Sequence, residues 1–308
     1  MMDNEIDREL LEKIADLLGK PVGAFNIRKD SGCDGRQSTE HIEITSKTDG
    51  KSGIDIRIKD GTVGETCHIP VIITKPGIEE MVYNDFYIGE NCNVDIVAGC
   101  GIHNCGDQTS RHDGLHTFYV GKNSHVHYTE KHYGEGDGKG GRIMNPQTVV
   151  YLEEGASIQM DTTQIRGIDS TKRDTKIVCG KNAEAVVTER LLTHGEQTAE
   201  SDMEIVLDGE NSKGRVISRS VAQDASSQVF YPRMVGNAQC FGHVQCDSII
   251  MGEAKIKSIP AITANCTEAQ LVHEAAIGKI AGDQLLKLET LGLTPEEAEE
   301  CILKGFLA

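Results

Sequence analysis

Five copies of one short motif constrain this chain more than any other feature. Tyr87-Ile-Gly-Glu-Asn-Cys-Asn-Val, Tyr119-Val-Gly-Lys-Asn-Ser-His-Val, Tyr151-Leu-Glu-Glu-Gly-Ala-Ser-Ile, Val178-Cys-Gly-Lys-Asn-Ala-Glu-Ala and the looser Val206-Leu-Asp-Gly-Glu-Asn-Ser-Lys each join an apolar strand end to a second apolar start through a tight turn. Successive copies begin 27 to 32 residues apart, a period typical of stacked repeats. The Gly and Asn of the turns are the residues that take positive φ with least strain. Stacking the copies buries a Val/Ile stripe and sets neighbouring backbones about 4.8 Å apart. The simplest solid that does this is a β-helix. A β-sandwich is the alternative, but it asks for hairpin signals about every 8–12 residues, and the copies keep their order without that regularity.

The texture around the motif divides the chain. From 42 to 265, β-branched and aromatic residues alternate with polar ones, as in Ile42-Glu-Ile-Thr, Ile54-Asp-Ile-Arg-Ile, Val126-His-Tyr-Thr and Val186-Val-Thr-Glu, which predicts a β core. Residues 1–41 read as a helical segment and a linker. Leu10, Leu11, Ile14, Leu17 and Leu18 share one helical face, and Gly19 offers a stop. Residues 266–308 read as a small helical domain, with Ile277, Ile280, Ala281, Leu285 and Leu288 as an apolar face. Thr294-Pro-Glu-Glu is a helix start in which Thr294 caps, Pro295 needs no N–H donor and Glu297 completes a capping box.

Composition excludes several classes of partner. A formal charge of −17 without a basic run argues against nucleic acid and anionic membrane surfaces. No apolar run approaches membrane-spanning length. The start Met-Met-Asp-Asn-Glu-Ile-Asp lacks the basic and apolar regions of a signal peptide, so a cytoplasmic protein is expected. Ten cysteines occur without a single CxxC, which removes the zinc-ribbon and thioredoxin-like readings. Most are expected to be small buried residues.

The chemistry concentrates near the C-terminus. Gln245-Cys246-Asp247-Ser248 is followed 27 residues after Cys246 by His273-Glu274-Ala275. Thiolate, imidazole and carboxylate are the donors that hold iron in a sulfur-rich site. The order Gln-Cys-Asp-Ser-Ile-Ile-Met-Gly-Glu, Leu271-Val-His-Glu-Ala-Ala, Asp283-Gln-Leu-Leu and Leu291-Gly-Leu-Thr-Pro-Glu-Glu-Ala resembles the C-terminal core of the SufB/SufD family of iron–sulfur cluster assembly proteins. The resemblance runs from about residue 54 to 307 and is strongest from Val216 to Phe306. It is closer to SufB than to SufD. Upstream, Leu115-His116 followed by Val126-His-Tyr-Thr resembles a family segment. Ala98-Gly99-Cys100 is similar to the family's Gly-Cys segment, although Gly101-Ile102-His103 departs from its small-residue-and-proline sequel.

The resemblance implies a right-handed parallel β-helix with a C-terminal helical domain and a scaffold role rather than turnover catalysis. It implies a nascent cluster, of 4Fe–4S type, as cargo. It also implies a second SufB/SufD-type subunit, homo- or heterodimeric, a sulfur donor, and a SufC-type ABC ATPase docked on the helical tail. The resemblance further implies reduced flavin as an electron source in some such assemblies, and no segment of this sequence reads as a flavin site. The chain has no Gly-x4-Gly-Lys-Ser/Thr motif, so ATP hydrolysis falls to the partner.

Cys246 is the leading cluster ligand or sulfur acceptor and Glu274 the second ligand, with His273 as ligand or orienting group. On an extended strand His273 and Glu274 point to opposite faces. Cys100 is the candidate for receiving persulfide sulfur, which then needs a route through the β-helix interior to Cys246. Cys100 and Cys105, a Cys-x4-Cys pair, with His103, His112 and His116 are candidate donors of a separate metal site. His125 and His127 share a strand face, near His132, and read as metal donors or as a solvated face. Cys240 is a minor ligand candidate on the same strand face as Cys246. Two other functions compete: a metal-dependent hydrolase using the His103–His132 region, and a metal-free β-helix interaction protein.

Overall fold

Strand alternation becomes two large sheets in the computed structural model, which describes residues 5–308. One sheet runs in the order Gly32–Gln37, Ala24–Lys29, Val63–Ile73, Asn93–His103, His125–Glu135, Ser157–Arg166, Glu184–Thr193, Ser212–Ala222, Cys240–Ile250, Gln270–Gly278. The other runs from Ile42–Ser46 through Gly53–Ile58, Glu79–Ile88, Ser110–Val120, Arg142–Leu152, Ser170–Cys179 and Thr198–Leu207 to Ser227–Gly236, which carries Lys255–Ser258 and Ala261–Ala264. From Gly53–Ile58 to Cys240–Ile250 the chain steps between the sheets at each strand, so neighbours there are parallel and one rung apart; Ile42–Ser46 pairs antiparallel with Gly53–Ile58. The result is a β-solenoid of about eight turns. Rungs are 32 residues long near His125 and Ser157 and shorten to 27–29 farther along. The core lies between the sheets and is filled by every second residue, among them Ile96, Phe118, Val126, Tyr128, Ile158, Val187 and Ile205.

The motif copies hold the rungs in register. Asn91, Asn123, Gly155, Asn182 and Asn211 all take positive φ, between 55° and 70°. The backbone N–H of each donates to a carbonyl in the next turn: Lys122, Glu154, Lys181, Glu210 and Gln239 respectively. The turns thereby satisfy their own polar groups as a ladder. The tyrosines that open the first three copies stack on the outer surface, with ring centroids 5.3 Å apart for Tyr87–Tyr119 and 5.5 Å for Tyr119–Tyr151. Phe86 and Phe118 stack inside at 4.2 Å.

The N-terminal helix, Glu5–Ala15, ends earlier than Gly19 because Asp16 turns the chain at φ 53°. Leu10, Leu11 and Ile14 pack on the outer face of the first sheet against Phe25, Ile27 and Ile72. Gly99 and Gly101 make room for this helix: a Cβ on Gly99 would lie 2.4 Å from the Ile14 carbonyl oxygen. Gly99→Val is therefore expected to lift the helix and to destabilise by about 1–3 kcal/mol. Urea unfolding and faster hydrogen exchange confined to residues 5–15 would register it.

Two segments depart from the sequence reading. Residues 24–37, within the stretch expected as helix and linker, form an antiparallel strand pair that extends the first sheet. Residues 270–278, expected in the helical tail, form one more parallel strand beside Cys240–Ile250. Rung pairing wins there because Gln270–Gly278 follows its neighbour at the solenoid's own period. The helices begin later, at Gly282–Thr290 and Pro295–Leu307, and Thr294 makes the expected capping box with Glu297. The tail packs through Ala298 and Leu303 and is tied down by Arg219, which donates to the Ala308 carbonyl at 2.9 Å. Among the described residues no helix is long and apolar enough to cross a membrane.

Candidate functional site

Cys246 lies one rung from the end of the first sheet. On its strand Val244 and Cys246 turn inward, while His243, Gln245 and Asp247 turn outward. Register places Val244 beside His273, Gln245 beside Glu274 and Cys246 beside Ala275. His273 therefore shares the inward face, and its Nε2 lies 3.7 Å from Cys246 Sγ. Glu274 faces outward, with Oε2 3.7 Å from His243 Nε2. The structure thus pairs thiol with imidazole and puts the carboxylate on the other side of the same edge strand. Burial pushes the Cys246 thiol up to about 12; the Ser258 hydroxyl opposes this, while Glu189 and Asp247 add to it. Any metal bound there must displace a proton. Burial, then His243, lowers the His273 imidazole.

This end of the solenoid is open. Among the described residues Gln270–Gly278 has no strand on its far side, and Val272 and Ile277 are 42% and 47% exposed on it. An unpaired edge of this kind is a template for another chain. Among the described residues, no group of three or more His, Cys, Asp or Glu is arranged to hold a metal ion.

A line of polar side chains runs inside the solenoid toward Cys246. Glu130 is beside Thr162, Thr162 beside Glu189, Glu189 beside Ser218, and Ser218 beside Cys246. Arg173 reaches across from the second sheet. It donates to Glu130 Oε2 at 2.5 Å and to His132 Nδ1 at 3.3 Å, and its Nε is 3.6 Å from Glu189 Oε1. Glu189 accepts from Ser201 at 2.8 Å and from Ser218 at 3.3 Å. A second branch passes from the Asn84 amide to His116 Nε2 at 3.2 Å, from His116 Nδ1 to the Tyr128 hydroxyl at 2.8 Å, and from Tyr128 to Glu130 at 3.0 Å. Burial resists charge on Glu130, but Arg173 and His132 overcome it and hold the carboxyl well below its usual range. Burial drives His116 down to about 4. Two small cavities interrupt the packing. One of about 20 Å³ touches Cys100, His112 and His132; one of about 10 Å³ touches Arg173, Glu189 and Ser201. The larger has room for a single water.

Cys100 is inside, in register with His132. Burial first, then Glu80 and Glu130, raises its thiol well above the usual value. His112 also points inward, with Nδ1 2.8 Å from Glu80 Oε1. Burial resists ionisation of Glu80, but His112 and Arg28 hold it down at about 2. The group Cys100, Cys105, His103, His112 and His116 is accordingly split: Cys105 and His103 meet outside the wall, while Cys100, His112 and His116 are interior. A single metal centre across His103–His132 does not form. His125 and His127 do share the outer face; His127 sits between Asp95 and Asp161 at 3.2 and 3.0 Å. His132 is buried and apart from them. Cys240 faces inward like Cys246, but six residues of extended strand separate them by about 20 Å, too far to share a metal.

The sequence reading missed the interior pair Glu130–Arg173 and its link to Glu189. A signal was present. In Val126-His-Tyr128-Thr-Glu130-Lys-His132, strict alternation puts Glu130 and His132 on the face of Val126 and Tyr128.

A family model described as SUF system FeS cluster assembly, SufBD core domain, matches residues 80–306. The chain is 29% identical over 309 residues to an iron–sulfur cluster assembly SufBD family protein of Methanocaldococcus jannaschii, covering 97% of this chain and 96% of that one. It is 25% identical over 274 residues to one of Archaeoglobus fulgidus, covering 88% and 72%, and 28% identical over 238 residues to one of Pyrococcus horikoshii, covering 75% and 69%.

Proposed function

The chain belongs to the SufBD family of iron–sulfur cluster assembly, and from that premise we propose that it is the scaffold on which a nascent cluster is built and from which it is handed on. The observation that carries this reading is the Cys246–His273 pair, 3.7 Å apart at the open last rung, with Glu274 on the same unpaired edge strand. Cys246 holds iron through its thiolate and His273 through its imidazole. Glu274 binds from the outer face, as a hard oxygen donor that competes poorly with thiolate for a soft site and so lets the cargo leave. The cargo is a 4Fe–4S cluster, and a second SufB/SufD-type subunit completes its ligand set across the edge. Sulfur travels the interior polar line from the Cys100 region to Cys246. The helices Gly282–Thr290 and Pro295–Leu307 are the dock for a SufC-type ABC ATPase, whose ATP cycle moves them and opens the edge. The chain works in the cytoplasm as a scaffold and does no turnover chemistry of its own.

The test is anaerobic reconstitution with ferrous iron and sulfide, with and without the ATPase, followed by light scattering. The expected product is a brown dimer. Val272→Lys and Ile277→Lys place charge on the free edge and are expected to give folded, colourless monomers. A colourless wild type, or a fully coloured monomer, overturns the reading.

A further inference from the structure

Two residues past the strand Asn93–His103, on the outside of the wall, Cys105 is exposed with its Sγ 2.8 Å from His103 Nε2. The other ring nitrogen of His103, Nδ1, lies 3.3 Å from Glu135 Oε1. Sheet register itself sets this contact, because His103 and Glu135 are direct neighbours on adjacent strands. Glu135 is held from two further sides: Lys13 donates to its Oε2 at 2.8 Å and the Tyr133 hydroxyl at 3.1 Å. Lys13 comes from the N-terminal helix and also lies 4.3 Å from the Tyr133 ring centroid. Burial works against charge on Glu135, but Lys13 and His103 hold its carboxyl below the usual range. The arrangement is a nucleophile, a base within reach, and a carboxylate that orients the base. An open groove of about 840 Å³, lined by Glu135, Arg142 and the glycine backbone of residues 136–141, lies alongside.

The other thiols lack one part or another of this set. Cys100 is packed among Val71, Ile102 and Met144, where no macromolecular donor can reach it. Cys33 is exposed, but the partner of its Sγ is the Asn26 side-chain oxygen at 3.6 Å, which is not a base.

We propose that Cys105 is a nucleophilic thiol that takes sulfane sulfur from a persulfide donor, with His103 as its base and Glu135 as the positioning residue. The proposal rests on the assembly reading, which requires that sulfur be delivered. His103 Nε2 takes the proton from Cys105 Sγ. The thiolate attacks the outer sulfur of the donor R–S–SH, so a Sγ–S bond forms while the donor's S–S bond breaks. The donor's inner sulfur leaves with the electron pair as a thiolate and recovers the proton from His103. Cys105–SH and R–SSH become Cys105–SSH and R–SH, with no net oxidation and no further reactant.

The test uses the full chain, held anaerobically with cysteine persulfide, and peptide mass spectrometry to locate added sulfur. Iodoacetamide labelling across a pH series runs in parallel, with exposed Cys33 and Cys301 as internal references. A free thiol is only a few per cent thiolate near neutrality, so activation should make Cys105 on the order of 10-fold faster than either reference. Its labelling should also stay fast to lower pH. His103→Gln should bring Cys105 down to the references, and Glu135→Gln should shift its pH profile part of the way. Cys105→Ser should build cluster normally from free sulfide but not when persulfide is the sole sulfur source. A Cys105 no faster than Cys33 and Cys301, or a rate indifferent to His103→Gln, overturns the proposal. So does a Cys105→Ser chain that cannot build cluster from free sulfide, since that assigns Cys105 to the scaffold itself. A wild type that loads sulfur on Cys105 yet builds no cluster from any source sinks the scaffold reading and supports this one.

Discussion

Arg173→Met is expected to destabilise the chain by about 3–5 kcal/mol at neutral pH, the usual penalty for removing one partner of a buried ion pair. Arg173 is 6% exposed and lies between the carboxylates of Glu130 and Glu189. Without it, both carboxylates stay inside the solenoid, Glu130 with the Tyr128 hydroxyl and the His132 ring and Glu189 with the Ser201 and Ser218 hydroxyls as neighbours. The pH dependence follows from the direction of the Glu130 shift. In the native chain burial opposes ionisation, but Arg173 and His132 hold the Glu130 carboxyl well below its ordinary value. Its contribution is therefore present above the unfolded glutamate value of about 4.3 and is lost as pH falls through the folded one. In the variant, burial loses its larger counterweight, Arg173, and keeps only the histidines against it, so the same carboxyl rises from its native position. The penalty is then present at neutral pH and fades with acidification. The gap between the two proteins should be widest at neutral pH and narrow toward about pH 4. Urea titrations at both ends of that range measure it. A double variant, Arg173→Met with Glu130→Gln, should recover part of the loss through coupling of neighbours. A gap that is constant with pH would show that packing, not charge, governs the site.

Cys246→Ala is expected to abolish the reconstituted chromophore. The residue is 3% exposed, and losing one sulfur from its position should lower stability by only about 1 kcal/mol, so the variant should still fold. Glu274→Gln keeps the shape of the outer face and removes the charge. It should form less cluster and lose iron to a chelator roughly tenfold faster, in keeping with a hard donor that holds iron weakly. His273→Gln should fall between the two. Cys240→Ala, about 20 Å along the strand, should behave as wild type. Iron and sulfide counts with the visible spectrum decide the order, and a Cys246→Ala chain with full chromophore would remove Cys246 from the ligand set.

How much of this was legible in the sequence depends on how far apart in the chain the interacting parts lie. The turn motif is local, and its Asn positions, with Gly155 in the third copy, are the ones that take positive φ; Gly89, Gly121, Gly180 and Gly209 do not. The capping box at Thr294 is equally local and was equally legible. The strand pair at residues 24–37 was not, because Gly32-Cys-Asp-Gly-Arg-Gln lacks an apolar alternation and is held by pairing at a sheet end. The final strand was hidden for a related reason. Ile277 fits both a helical apolar face and a strand, and only the rung beside it decides. Cys246, His273 and Glu274 were singled out by their chemistry together with the family resemblance, and the opposite facing of His273 and Glu274 follows from alternation. That the thiol meets the imidazole and not the carboxylate depends on a diagonal contact set by rung length. Glu130 and Arg173 are 43 residues apart, and no local pattern couples them.

A stack of rungs touches only its nearest neighbours, so its stability is a sum of adjacent contacts rather than one shared transition. Among the described residues, Gln270–Gly278 ends its sheet on the Cys246 side and has a single neighbour there. It can therefore fray and reseal on its own while the coils behind it stay intact. Cargo held at Cys246 and His273, as proposed, would sit beside a hinge already built in and could be let go without loosening the body of the molecule.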